Sequence, residues 1–181
     1  MKYLLDGEET KRLKFRLLEP DDFNDWLTLF DGTNVARLLG MGNIPTAKAQ
    51  CQNWFNIQEN RYQNNIGGMN VLVDKSSGEM VGQCGLLIQE VDNIQELEIG
   101  YAILPGYWNE GFATEAALKC RDFAFEQSFT NSIISIIHIE NKISEKVALN
   151  NGMKKTKRTV YKNMPVNIFR ITNEEWVKMK K

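Results

Sequence analysis

The segment ELEIGYAILPGYWNEGFATEAA, residues 96 to 117, constrains this chain more than any other part of it. Glu96 to Leu104 alternates as a strand does, with Leu97, Ile99, Tyr101 and Ile103 on one face and Glu96, Glu98, Gly100 and Ala102 on the other. Pro105 then ends the strand, and a run of helix formers starts near Thr114. A strand that stops at a glycine-containing turn and becomes a helix leaves unpaired backbone N–H groups at the helix start, and such groups bind anions. Here Trp108, Asn109, Glu110, Gly111, Phe112, Ala113 and Thr114 would gather those groups in one concave patch. Gly111 allows a close approach, and Ala113 keeps the helix start open. No lysine follows Gly111, so the phosphate loop of nucleotide hydrolases is absent, and no G-x-G-x-x-G pattern supports a dinucleotide site. A pyrophosphate held by backbone amides and a helix dipole, without a metal, fits best.

The remaining pattern builds a sheet around this unit. Leu13 to Leu17 alternates, and Asp21 and Asp22 precede Phe23, Trp26, Leu27 and Phe30 at helical spacing. A second helix is expected from about Thr46 through Tyr62. Its aromatics, with Trp26, should line a core face, the wall of an acceptor cleft being the other reading. Strands 69–73 and 79–87 flank the turn residues Asp74 to Gly78 and read as a hairpin. After the helix from Thr114, the isoleucine-rich run 133–139 reads as a strand covered on both faces. A helix from Asn141 ends at Asn150-Asn151-Gly152, the basic run Lys154 to Arg158 reads as a solvated loop, and strands around 158–161 and 166–172 follow. The fold class is therefore α/β in the layered α+β sense, with helices on both faces of a mixed sheet.

At 181 residues the chain is expected to be one domain, residues 1 to 181. With 22 Lys+Arg against 23 Asp+Glu, no global field points to nucleic acid or an anionic membrane. Cys51, Cys84 and Cys120 are widely spaced and accompany a single histidine, His138, which argues against a disulfide scaffold and a zinc site. Each cysteine is expected to be a small buried side chain. The N-terminus becomes charged after two leucines, and no segment approaches the roughly 20 apolar residues that span a bilayer. A cytoplasmic location follows as the expectation.

The residues Tyr107-Trp108-Asn109-Glu110-Gly111-Phe112-Ala113-Thr114-Glu115-Ala116 resemble the signature of the GNAT superfamily of acyl-CoA-dependent N-acetyltransferases. The branch containing the ribosomal-protein alanine N-acetyltransferases is the most similar. Glu98-Ile99-Gly100-Tyr101 matches its approach strand. Asn141, Ser144 and Val147 at intervals of three, and Asn151-Gly152-Met153, match it downstream. Thr10 to Arg16 resembles its first strand. Trp108 and Asn109 depart from the commonest signature, where Gln or Arg and a glycine stand. The resemblance implies a mixed, mostly antiparallel sheet of about six to seven strands with a splayed central strand pair. It also implies acetyl-CoA as cosubstrate, no metal, and a primary amine acceptor, either a protein N-terminus or a small molecule. It is compatible with a homodimer.

By position, the resemblance assigns cofactor contacts to residues 108–114, Asn141 and Ser144, and places the backbone N–H of Ile103 at the thioester carbonyl. Glu98 is the candidate general base, because an amine must lose its proton before it attacks a thioester. Ser144 is the candidate donor to the departing thiolate. Transfer is expected to be direct, since no cysteine has a base partner in sequence. His138, among isoleucines, reads as a core residue rather than a base. A non-catalytic acyl-CoA-binding sensor or interaction module is the alternative, and the presence of Glu98 and Ser144 favours the enzyme.

Overall fold

A computed structural model of the protein describes residues 2–180, so the first and last residues of the expected domain lie outside the described residues. The strands are β1 (Leu13–Arg16), β2 (Gly67–Asp74), β3 (Met80–Val91), β4 (Ile94–Ile103), β5 (Ser132–His138), β6 (Lys154–Tyr161) and β7 (Met164–Thr172). The helices are α1 (Phe23–Leu27), α2 (Val35–Leu38), α3 (Ala47–Gln63), α4 (Phe112–Glu126), α5 (Lys142–Asn150) and α6 (Asn173–Met179). Together the strands form a seven-stranded sheet in the order β1-β2-β3-β4-β5-β7-β6.

Tight turns specify most of the neighbours. Asp92 and Asn93 both adopt left-handed backbone, at φ +52° and +63°, and join β3 to β4 by a two-residue connection. Lys162 and Asn163 do the same between β6 and β7, at +47° and +63°. Asp and Asn tolerate that region better than most side chains. Every adjacent pair is antiparallel except β4 and β5, which run parallel and share only two paired positions, Leu97 with Ile133 and Glu98 with Ile134. Beyond Glu98 the two strands diverge.

One face of the sheet packs on α4, α5 and α6. There Leu97, Ile99, Ile133 and Phe169 meet Phe112, Ala116, Cys120 and Trp176, all buried. The small side chains Ala113, Ala116, Ala117, Cys120 and Ala124 let α4 lie close to the strands. On the opposite face α1 and α3 cover β2 and β3, with Trp26, Phe30, Cys51 and Val71 at the centre. The face of β4 and β5 beyond α3 is left for the segment 28–45, which contains α2 and is tied to the chain after β5 by an Arg37–Glu140 ion pair of 2.6 Å.

One sequence expectation changes. The basic run Lys154 to Arg158 is not a loop: it forms the first half of β6, the outermost strand, with its side chains exposed. Its pairing with β7 supplies the backbone partners that a charged sequence does not advertise. The aromatics Trp26, Trp54, Phe55 and Tyr62 lie in the α1–α3 layer, the core face expected for them, and none lines the cleft described below; the Trp54 indole donates to Gln83 Oε1 at 2.9 Å. All three cysteines are buried and free, and Cys84 and Cys120 lie in contact across the β3–α4 interface, with their sulfurs 3.5 Å apart.

Candidate active site

The turn before α4 is built as an anion cradle. Gly111 is the helix N-cap at φ +83°, and Asn109 is also left-handed at φ +66°. A Cβ at Gly111 would lie 3.6 Å from the Arg12 guanidinium, an ordinary contact, so the backbone angle rather than crowding calls for glycine. The first helical bond runs from the Glu115 N–H to the Gly111 carbonyl, 3.1 Å. Among the described residues, the backbone N–H groups of 109 to 114 meet no protein acceptor, and no side chain caps the helix. Left-handed backbone at Asn109 and at Gly111, directly before the right-handed helix, suits a concave anion-binding nest of N–H groups, and the α4 dipole adds partial positive charge.

Arg12, which sequence reasoning missed, fixes this turn from the position just before β1. Its Nε lies 2.6 Å from Glu115 Oε2, and its backbone N–H donates to Glu115 Oε1 at 2.9 Å. Thr10 donates its hydroxyl to the same oxygen at 2.6 Å. Arg12 Nη1 also donates to the Glu110 carbonyl at 2.9 Å, and the guanidinium stacks 4.3 Å from the Phe112 ring centroid. Burial alone would raise the Glu115 carboxyl, but Thr10 and Arg12 together hold it below the usual carboxylate range. The partner lies about a hundred residues away, beyond the reach of local pattern.

Between the diverging strands runs a cleft of about 530 Å³. Glu98, Ile103, Trp108, Asn109, Gly111, Phe112, Ala113, Thr114, Asn141 and Ser144 all line it. Of the residues expected at the site only Glu110 is left out; its carbonyl is taken by Arg12. The Leu104 N–H donates to the Val81 carbonyl, so by strand alternation the N–H groups of Ile99, Tyr101 and Ile103 face away from β3, into the gap. The Trp108 indole occupies the Ile103 carbonyl at 2.7 Å, leaving the Ile103 N–H as the group directed to the cleft. Asn141 caps α5 by accepting from the Ser144 N–H at 3.0 Å. Tyr101, a further residue not singled out from sequence, spans the gap and donates its phenol to the Ser144 carbonyl at 2.7 Å.

Glu98 occupies the apex where β4 and β5 part. Its Oε1 accepts the Ile136 N–H at 3.3 Å, an amide that loses its strand partner where the ladder ends, and its Oε2 accepts from Gln89 Nε2 at 2.7 Å. Burial pushes its carboxyl up, while Gln89, the Ile136 N–H and Arg61 oppose the shift. His138 stands on the same wall, its Nδ1 accepting the Glu140 N–H at 3.2 Å. No cysteine lines the cleft, and burial raises the Cys51 thiol to about 11.

Residues 12–154 match the model of the acetyltransferase (GNAT) domain. The chain belongs to the GNAT acetyltransferase family. The chain is also 31% identical over 122 residues to the uncharacterized protein YkkB of Bacillus subtilis, covering 67% of this chain and 71% of that one. Two solved structures share the fold. The spermidine N-acetyltransferase from Vibrio cholerae, in complex with CoA and spermine, aligns at a TM-score of 0.72 and 16% identity, covering 93% of this chain and 99% of that one. RimL, a ribosomal L7/L12 α-N-protein acetyltransferase in complex with coenzyme A, aligns at 0.72 and 13%, covering 92% and 97%. This GNAT acetyltransferase thus resembles the ribosomal-protein branch in its motifs and shares its fold with both protein and polyamine acetylating enzymes.

The Arg12–Glu115 clamp has a definite pH signature. A carboxylate held below its usual range stabilises the fold above that range, and the contribution is lost as pH falls through the lowered value. Glu115→Gln should lower unfolding free energy at pH 7 by about 1 kcal/mol in urea titrations. The difference from wild type should shrink as the medium is acidified toward pH 3, and a constant difference would contradict the assignment.

Proposed function

We propose that this GNAT acetyltransferase transfers an acetyl group from acetyl-CoA to a primary amine by direct attack, with both substrates bound together. The observation that carries the reading is the run of unpartnered N–H groups at 109–114, opening onto the same cleft as a buried carboxylate. Those amides, with the nearby Arg12 guanidinium, suit the CoA pyrophosphate. The Asn141 side chain, whose oxygen is used by the cap, keeps its amide N–H groups for the pantetheine arm. The Ile103 N–H polarises the thioester carbonyl, and Glu98 takes the proton of the acceptor amine. Ser144, which lines the cleft, donates its hydroxyl to the departing sulfur. The absence of a cysteine from the cleft lining supports direct transfer.

The cleft lining also speaks to the acceptor. Glu98 is the only carboxylate among the described lining residues, and Leu29, Val35, Leu38 and Leu39 add an apolar wall. A polyamine would bring several ammonium groups to one carboxylate and leave the others desolvated without a counter-charge. An amine with a single ammonium and an uncharged body, such as a protein N-terminus, fits this wall better.

Three measurements test the reading. CoA and acetyl-CoA at about 100 times their dissociation constants should each add roughly 2.7 kcal/mol of stability, a rise of several degrees in Tm, while ATP adds nothing. No shift with CoA at millimolar concentration would place the anion site elsewhere. In a thiol-release assay, peptides with small uncharged N-terminal residues should give kcat/KM at least about tenfold above spermidine, since one uncompensated charge costs that much; the reverse order would overturn the acceptor assignment. Finally, kcat/KM should fall as pH drops through a value above the ordinary carboxylate range. Glu98→Gln should abolish that limb and cost about 10² to 10⁴ in kcat, with CoA-induced stabilisation unchanged.

A further inference from the structure

Gln89 lies on β3, on the same sheet face as Glu98 and one alternation beyond Leu87, the residue paired with Glu98. Its side chain makes three contacts. The amide oxygen accepts from Arg61 Nη2 at 2.9 Å and from the Tyr161 hydroxyl at 2.8 Å, and the amide nitrogen donates to Glu98 Oε2 at 2.7 Å. A guanidinium has donors and no acceptor, so the Gln89 atom facing Arg61 is necessarily the oxygen. The amide therefore has one orientation, and its N–H is directed at Glu98.

The two groups that lock Gln89 are themselves fixed. Arg61, on α3, is only 7% exposed and donates to the Ile66 and Ile88 carbonyls, each at 3.2 Å. Tyr161, at the end of β6, is pushed up to about 12, by burial first and then by Glu98, so it remains a hydroxyl donor. The other Glu98 oxygen meets the Ile136 N–H. Both partners of the carboxylate thus donate. Around it stand Arg61 from α3, Tyr161 and Lys162 from the β6–β7 hairpin, and Tyr101 on its own strand; His138 of β5 lines the same cleft, and Glu96 is paired with Arg170 of β7.

We propose that Gln89, locked by Arg61 and Tyr161, is a positioning residue that holds the buried Glu98 side chain in its charged, proton-accepting form. The inference rests on the reading of Glu98 as the base. Burial favours the neutral acid, which cannot take a proton from the acceptor; a donor fixed 2.7 Å away favours the anion. Arg61 and Tyr161 act through the amide, because they remove the alternative orientation in which its oxygen would face the carboxylate.

Gln89→Glu is the informative variant. It keeps an acceptor for Arg61 and Tyr161, so the surrounding packing retains its partners, but it replaces the donor facing Glu98 with a second carboxylate oxygen. The acid limb of kcat/KM should move up by at least about one pH unit, with roughly tenfold lower activity on the limb and a high-pH plateau close to wild type. The ionisation of the acceptor amine is common to both proteins and drops out of the comparison. Gln89→Met, which loses the donor without adding charge, should shift the limb in the same direction by less. CoA-induced stabilisation, read as Tm, should be unchanged in both.

A limb that stays at its wild-type pH while the plateau falls at every pH would reduce Gln89 to a packing residue and overturn the proposal. Should Gln89→Met fail to fold, Gln89→Glu alone decides. Glu98→Gln separates the two levels of inference. If it retains the acid limb, the base assignment fails and this proposal with it. If it loses the limb while Gln89→Glu leaves the limb in place, only the positioning role fails.

Discussion

The pairing of β4 with β5 stops after Leu97–Ile133 and Glu98–Ile134, and most of what distinguishes this molecule follows from that interruption. Two parallel strands that continued side by side would satisfy one another's backbone groups and close the sheet. Here the strands separate, and amides on both sides of the gap need other partners. Some are supplied internally: the Ser135 hydroxyl donates to the Ile99 carbonyl at 2.9 Å, the Trp108 indole to the Ile103 carbonyl, and the Ile136 N–H turns to the Glu98 carboxylate. Those left over face the cleft between the two strands.

The site's electrostatics set the positive potential of backbone amides against one buried carboxyl. The cradle at 109–114 offers neutral amides, whose partial charges need no counter-ion when the ligand is absent and cost little to keep exposed. Glu98 is the opposite case, a carboxyl in a place that disfavours its charged form, met by fixed donors from β3 and β5. The division suits the transfer proposed above, in which CoA leaves at every turnover while the proton acceptor stays in one place.

Local chemistry made much of this legible in the sequence. The strand to Leu104, the turn at Gly111, the Thr46 cap of α3 and the Asn141 cap of α5 each rest on residues within a few positions of one another. Ten of the eleven residues expected at the site line one cleft because a contiguous motif and a nearby cap carry most of them. What escaped was long-range. Arg12 meets Glu115 across 103 positions, and Gln89 meets Tyr161 across 72, pairings that exist only once the sheet order is known. The basic start of β6 misled for a related reason: lysine and arginine describe its solvent-facing side chains and say nothing of the β7 backbone that it pairs with.

That basic strand also limits how the molecule can associate with itself. An outermost strand offers unpaired backbone groups along its free side, where the sheet of a second copy could continue. Lys154, Lys155, Lys157 and Arg158 line this edge, and Lys154 and Lys157 are paired with Glu175 and Asp92 of the same chain. Two such edges brought together would stack cations against cations within a few ångströms, across a ladder less than 5 Å wide. Charge thus guards the β6 edge of the sheet, in place of the covering helix or the closed barrel that other sheets use.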